Sequence, residues 1–227
     1  MLLRRSLITI FLVLFLDQLI KFWVKTHMYL GQEYPILGNW FIIHFTENEG
    51  MAFGMKFGGQ YGKLLLSLFR IVAVSGIGWY LWTLIKANVK PLLVVCVSLI
   101  FAGAFGNIID SAFYGLIFSD SWFTVANFMP PEGAYGTFLH GKVVDMFYFP
   151  LYSGIYPKWI PIWGGEDFQF FRPVFNMADA SISCGVIILI LFQTTLFEKH
   201  SGHQQEGTSL ETEASVSSEA DDSKESV

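Results

Sequence analysis

Apolar residues gather in four long runs, at about residues 7–24, 64–85, 92–109 and 174–197, separated by segments of very different character. Each run approaches the roughly 20 apolar residues needed to cross about 30 Å of hydrocarbon as a helix. Arg4 and Arg5 precede the first run, but no small-residue cleavage site follows its apolar core, so it reads as a retained helix rather than a leader. Lys86-Ala87-Asn88-Val89-Lys90, followed by Pro91, makes a tight hinge between the second and third runs. The pattern predicts an all-α membrane protein of four transmembrane helices. Residues 26–62 and 110–173 then lie on the side opposite both termini. Arg4, Arg5, Lys86 and Lys90 mark one side at high density and Lys25, Lys56, Lys63 and Arg172 the other, a weak bias that favours both termini inside.

The connecting segments refine this picture. Residues 36–45 mix β-branched and aromatic side chains between glycine and proline, the signature of short strands lying on the bilayer. Trp159-Ile160-Pro161-Ile162-Trp163 carries rings suited to the headgroup interface. The segment 200–227 is rich in Ser, Glu and Thr without aromatics and is expected to be a disordered acidic tail, leaving 1–199 as the membrane-embedded domain.

Composition agrees with the pattern. The chain of 227 residues is 53% hydrophobic and 17% aromatic, with only 15% charged. A soluble domain carries about a quarter charged residues. The net charge of −5 comes from the end of the chain, since residues 198–227 hold eight of the nineteen acids. No basic surface suggests nucleic acid. Cys96 and Cys184 fall inside apolar runs and read as small buried packing residues. The five histidines are scattered, so neither a metal nor another cofactor is expected.

The polar residues inside the runs carry the chemistry. Asp17, Gln18 and Lys21 lie late in the first run and Arg70 early in the second. Asn107 and Asp110 end the third, while Asn176 and Asp179 begin the fourth. Alternating helix directions bring all of them towards one face of the membrane. Asp17 and Lys21 are spaced to share a helix face and pair. Gly103, Asn107 and Asp110 form one stripe, and Asn176, Asp179 and Ser183 another. Small residues at such positions allow close helix approach and interhelical hydrogen bonds. Structural roles account for much of this: an ion pair for Asp17 and Lys21, amide bridges for Asn107 and Asn176, snorkelling for Arg70. Asp179 is harder to explain, because a carboxylate in a membrane segment is costly and marks a functional site by default. Asp145, in Gly141-Lys142-Val143-Val144-Asp145, is its candidate partner from a loop. Two neighbouring carboxylates share a proton, so one can draw a proton from water while the other polarises an amide carbonyl.

Five short motifs occur in order: Asp17-Gln18-x-x-Lys21, Asn48-x-Gly50-x-Ala52-Phe53, Gly103-Ala104-x-Gly106-Asn107-x-x-Asp110, Gly141-x-Val143-Val144-Asp145 and Phe175-Asn176-x-Ala178-Asp179. Together they resemble the lipoprotein signal peptidases, the bacterial signal peptidase II family, over residues 17–182. The resemblance implies a four-helix aspartyl protease of the bacterial cytoplasmic (inner) membrane, with its site near the outer face. Its substrate would be a diacylglyceryl-modified prolipoprotein cut before the lipidated cysteine. It also implies catalytic Asp145 and Asp179, with Asn48, Gly50, Asn107, Asn176 and Ala178 shaping the site. Asp17, Lys21 and Asp110 would give structural support. The strand-like segment would be a small extracytoplasmic β-rich cradle on the outer leaflet, the partners substrate and membrane lipid, and the enzyme a monomer without cofactor. The family usually has Asp-Arg where this chain has Asp110-Ser111, which leaves Arg70 or Arg172 to supply a guanidinium. Two other classes fit the residues alone. A proton-coupled transporter would use Asp17, Lys21, Asp110 and Asp179 as a relay, but the other halves of the runs lack polar groups for one. An assembly factor would use the aspartates only to join helices.

Overall fold

The first three apolar runs fold as helices in the computed structural model, which describes residues 1–49, 59–170 and 173–197. The helices are α1 (Leu2–His27), α2 (Gly59–Lys86) and α3 (Pro91–Ile109). A π-helical turn (Asp110–Tyr114) and the short α4 (Gly115–Ile117) prolong α3. Three segments, Leu2–His27, Gly62–Lys86 and Pro91–Ile117, are long and apolar enough to cross a membrane. Their outward faces expose side chains such as Phe11, Phe69 and Trp79, as lipid-facing surfaces do.

The fourth run is broken where the sequence suggests continuity. Val174–Phe175 forms strand β6, α5 spans Met177–Leu191, and a short α6 follows at Gln193–Phe197. The break before α5 is a reciprocal cap. Asn176 Oδ1 accepts the Asp179 N–H at 2.9 Å, and Asp179 Oδ2 accepts the Asn176 N–H at 3.4 Å. This is the capping-box arrangement built from Asn and Asp, and it fixes the turn at which strand becomes helix.

The extended segments form two sheets. β1 (Glu33–Leu37), β2 (Phe41–Asn48), β3 (Val143–Tyr148) and β6 make one antiparallel sheet in the order β1-β2-β3-β6. β4 (Tyr152–Ile155) and β5 (Asp167–Phe170) make a separate hairpin. Side chains alternate across a strand. Ile43, Phe45, Val144 and Met146 therefore face Val24 and Met28 of α1 with Tyr114 and Phe118, forming the core beneath the sheet. The pairing of β2 with β3 slips by one residue between Ile43 and Thr46, a bulge beside the strand that bears Asp145.

Glycines set the closest helix contact. A Cβ on Gly103 of α3 would lie 2.2 Å from the Ala178 carbonyl oxygen and 2.5 Å from Ser181 Oγ. Ser181 Oγ donates to the Leu99 carbonyl at 3.1 Å across the same contact. Ser183, expected on the stripe of Asp179, is instead exposed, because the inward face of α5 is the one that carries Ala178, Ser181 and Gly185. Cys96 is buried as expected, but Cys184 is exposed. Its neighbour Gly185 takes the inward position, close against the Cys96 carbonyl.

Candidate active site

The sheet brings the two aspartates to one place. β3 pairs with β6 through Phe147–Phe175 and Tyr148–Val174, and β6 runs directly into Asn176 and α5. Asp145 thus sits on a strand rather than the loop expected from sequence. Val144 and Met146 point into the core beneath the sheet, so the alternation sends Asp145 the other way. There its Oδ1 accepts a 2.7 Å hydrogen bond from Asn176 Nδ2, and the residue is 5% exposed. Asp179, in the first turn of α5, accepts from Asn107 Nδ2 at 2.8 Å. Asn176 Nδ2 also lies 3.1 Å from Asn107 Oδ1. The two amides therefore join the two carboxylates from α3, β3 and the start of α5.

A buried ion triad stands behind them. Lys21 Nζ lies 2.9 Å from Asp17 Oδ2 and 2.8 Å from Asp110 Oδ2, with all three side chains inaccessible to solvent. It also donates to Asn107 Oδ1 at 2.9 Å. Each acid of the triad holds the backbone beside one member of the pair. Asp17 Oδ1 accepts the Ala178 N–H at 2.9 Å, next to Asp179. Asp110 Oδ2 accepts the Val144 N–H at 3.3 Å, next to Asp145. Gln18 Nε2 bridges both acids, at 3.1 Å and 2.9 Å. Removing one charge from such a group leaves the others uncompensated in low dielectric.

Burial, and then the charge of Asp179, push the Asp145 carboxyl up to about 7 against the opposing influences of Lys21 and the Asn176 hydrogen bond. A carboxyl that ionises near neutral pH can hold a proton there, as general acid chemistry requires. Ser111 takes no direct part in this pair, since its hydroxyl donates to the Asn107 carbonyl at 3.0 Å. Ala178 is fully buried against the triad and against Gly106. Asn48 ends β2 opposite Val143. Gly50, Ala52, Phe53 and Arg172 lie outside the described residues, as does the segment 200–227.

Sequence reasoning missed a second ionic cluster. Lys25, read only as a marker of membrane side, is fully buried. Its ammonium pairs with Glu47, donates to Ser121 Oγ at 2.7 Å and lies 4.8 Å from the Tyr135 ring centre. Lys142 Nζ reaches the other Glu47 oxygen at 2.9 Å. The cluster ties the end of α1 and β2 to the long segment before β3. Lys25, one helical turn beyond Lys21, was its trace in the sequence.

Two carboxylates held by amides, at the ends of apolar helices and under a small sheet, form an arrangement with the chemistry that aspartic hydrolysis needs. The signal peptidase II family model matches residues 9–195, and the chain belongs to that family of aspartic peptidases. The lipoprotein signal peptidase of Porphyromonas gingivalis is 54% identical over 183 residues, covering 80% of this chain and 79% of that protein. The lipoprotein signal peptidase of Amoebophilus asiaticus is 42% identical over 183 residues, with 79% and 73% covered. A solved bacterial membrane enzyme superposes with a TM-score of 0.52 at 24% identity, over 88% of this chain and 94% of that one, which speaks for the fold.

Proposed function

We propose that the protein is the peptidase that removes signal peptides from diacylglyceryl-modified prolipoproteins, cutting before the lipidated cysteine. The observation that carries this reading is the joining of Asp145 and Asp179 through Asn176 and Asn107, in a chain of the signal peptidase II family. One carboxylate takes a proton from water as the water attacks the scissile carbonyl. The other, protonated, polarises that carbonyl and then passes its proton to the leaving amine. Asn107 and Asn176 hold the pair in register, Asn48, Gly50 and Ala178 shape the substrate channel, and Asp17, Lys21 and Asp110 support it from behind.

In this reading α5 is the fourth span, both termini are cytoplasmic, and the enzyme is a monomer of the bacterial inner membrane. Residues 1–199 form the peptidase domain, followed by the acidic segment 200–227. The four-stranded sheet is the cradle on the outer leaflet, so the substrate enters sideways with its acyl chains still in lipid. Aromatic rings at the sheet support this placement: Phe41 stacks on Phe149 at 4.8 Å, and Phe149 on Phe175 at 5.8 Å.

The test is cleavage of a diacylglyceryl prolipoprotein by purified protein. Asp145→Asn and Asp179→Asn each abolish it while the protein still inserts in the membrane. Processing retained by either variant removes that residue from the pair. A transporter or an assembly factor would show no cleavage even in the unaltered protein.

A further inference from the structure

Arg70 is the one charge in the interior of the second span, whose other charged residues, Lys63 and Lys86, lie at its ends. A cation placed there is costly and calls for a partner. The packing of α2 fixes its level. A Cβ on Gly78 would lie 2.9 Å from the Phe101 ring, so these two residues of the antiparallel pair α2 and α3 face each other. Moving back eleven residues on α2 reaches Ser67, and moving on eleven from Phe101 reaches Ala112. Those two meet through Leu139, whose carbonyl accepts the Ser67 hydroxyl at 3.1 Å and whose N–H meets the Ala112 carbonyl at 3.5 Å. The register therefore holds along the whole contact and sets Arg70 level with Ile109, beside Asp110. Ser67, Val74 and Leu81 of α2 are buried and mark its inward face, while Phe69 and Val72 are exposed. Arg70, three residues after Ser67 and four before Val74, lies on the inward side and is half-buried. Its guanidinium is within electrostatic range of three carboxylates: Asp179 foremost, then Asp145 and Asp110.

The charges of the site make this cation consequential. Asp17 and Asp110 share one cation, Lys21, and the triad is left with a net negative charge. Asp145 on β3 and Asp179 on α5 add two more acids to the same low-dielectric region. Glu47, on the other side of β3, is paired with both Lys142 and Lys25. A second cation on α2 offsets part of this negative charge.

We infer that Arg70 is a positioning residue for the aspartate pair: its fixed charge holds the pair at one shared proton, so that one carboxylate stays available as base. The inference rests on the proposed catalytic pair. It is tested by the pH profile of kcat/KM for cleavage of a diacylglyceryl prolipopeptide by the full-length chain in detergent. An opposite charge at short range lowers a carboxylate pKa by about one to three units. Arg70→Gln therefore moves the acid limb of the profile up by about one unit or more, a roughly tenfold loss below the wild-type limb with less loss at high pH. Arg70→Lys keeps the limb in place. Should the glutamine variant fail to accumulate, Arg70→Met, equally uncharged, takes its place with the same expectation. Ser67→Ala, on the same face one turn away, leaves the limb unmoved. An uncharged variant with the wild-type limb overturns the inference, as does a shift in Arg70→Lys or Ser67→Ala equal to that in Arg70→Gln. Asp179→Asn separates the two readings. If it still cleaves, the catalytic pair fails whatever Arg70 does. If it is inactive and Arg70→Gln is unshifted, only the role of Arg70 falls.

Discussion

Asp145→Asn should make the protein more stable at neutral pH while removing its activity. Asp145 ionises near 7 in the folded protein, against 3.8 for the free side chain. Between these values the unfolded chain has released the proton and the folded chain retains it, so folding binds a proton. Stability is therefore fully present below about pH 4 and is lost as pH rises through about 7. At about 1.4 kcal/mol per unit, a shift of this size corresponds to at most about 4 kcal/mol above the folded pKa. Part of that cost belongs to the pair rather than to Asp145 alone. Asparagine has the same shape, keeps an acceptor for Asn176 Nδ2, and never ionises. The check is unfolding in detergent from pH 4 to 8, for the unaltered protein and the variant. The curves should lie together near pH 4 and diverge by about 2–4 kcal/mol by pH 8, with the variant higher. Parallel curves over that range, or a variant less stable at pH 8, would refute the argument that burial of this carboxylate is what costs stability.

Three further perturbations test the frame of the site. Lys21→Met leaves Asp17 and Asp110 buried without their cation, a cost of about 3–5 kcal/mol that should appear as loss of folded protein in a thermal or denaturant melt. Gly103→Val places its Cβ against the Ala178 carbonyl, forces α3 and α5 apart, and costs at least about 1–3 kcal/mol, with cleavage falling alongside the melting temperature. Lys25→Met removes one of the two cations on Glu47 and the donor to Ser121, loosening the segment before β3, so limited proteolysis between residues 119 and 142 should quicken well before global unfolding.

The polar residues of the site were legible in the sequence for a simple reason. Inside an apolar run nothing hides an Asp17, a Lys21 or an Asn107, and helix direction alone sends them to one end of the bundle. Their joining into one hydrogen-bonded network is a matter of tertiary packing. Asp145 was legible only through its motif, since in isolation it is one acid in a long polar-aromatic segment. Its burial comes from strand alternation and from pairing with β6, neither of which a short run of mixed residues announces. Lys25 and Glu47 were misread or overlooked because their partners lie far along the chain, at Ser121, Tyr135 and Lys142.

What the sequence determined by itself is the three long apolar helices and the identity of the polar groups between the runs, because hydrophobic length and the cost of a charge in lipid are local properties. What only the tertiary structure decided is which group holds which. The Asn176–Asp179 cap starts α5 late, Gly103 lets α5 close on α3, and β3 carries Asp145 to Asn176. The cap is local to residues 176–179, but the closing of α5 on α3 and the meeting of Asp145 with Asn176 join segments tens of residues apart, and no local pattern encodes them.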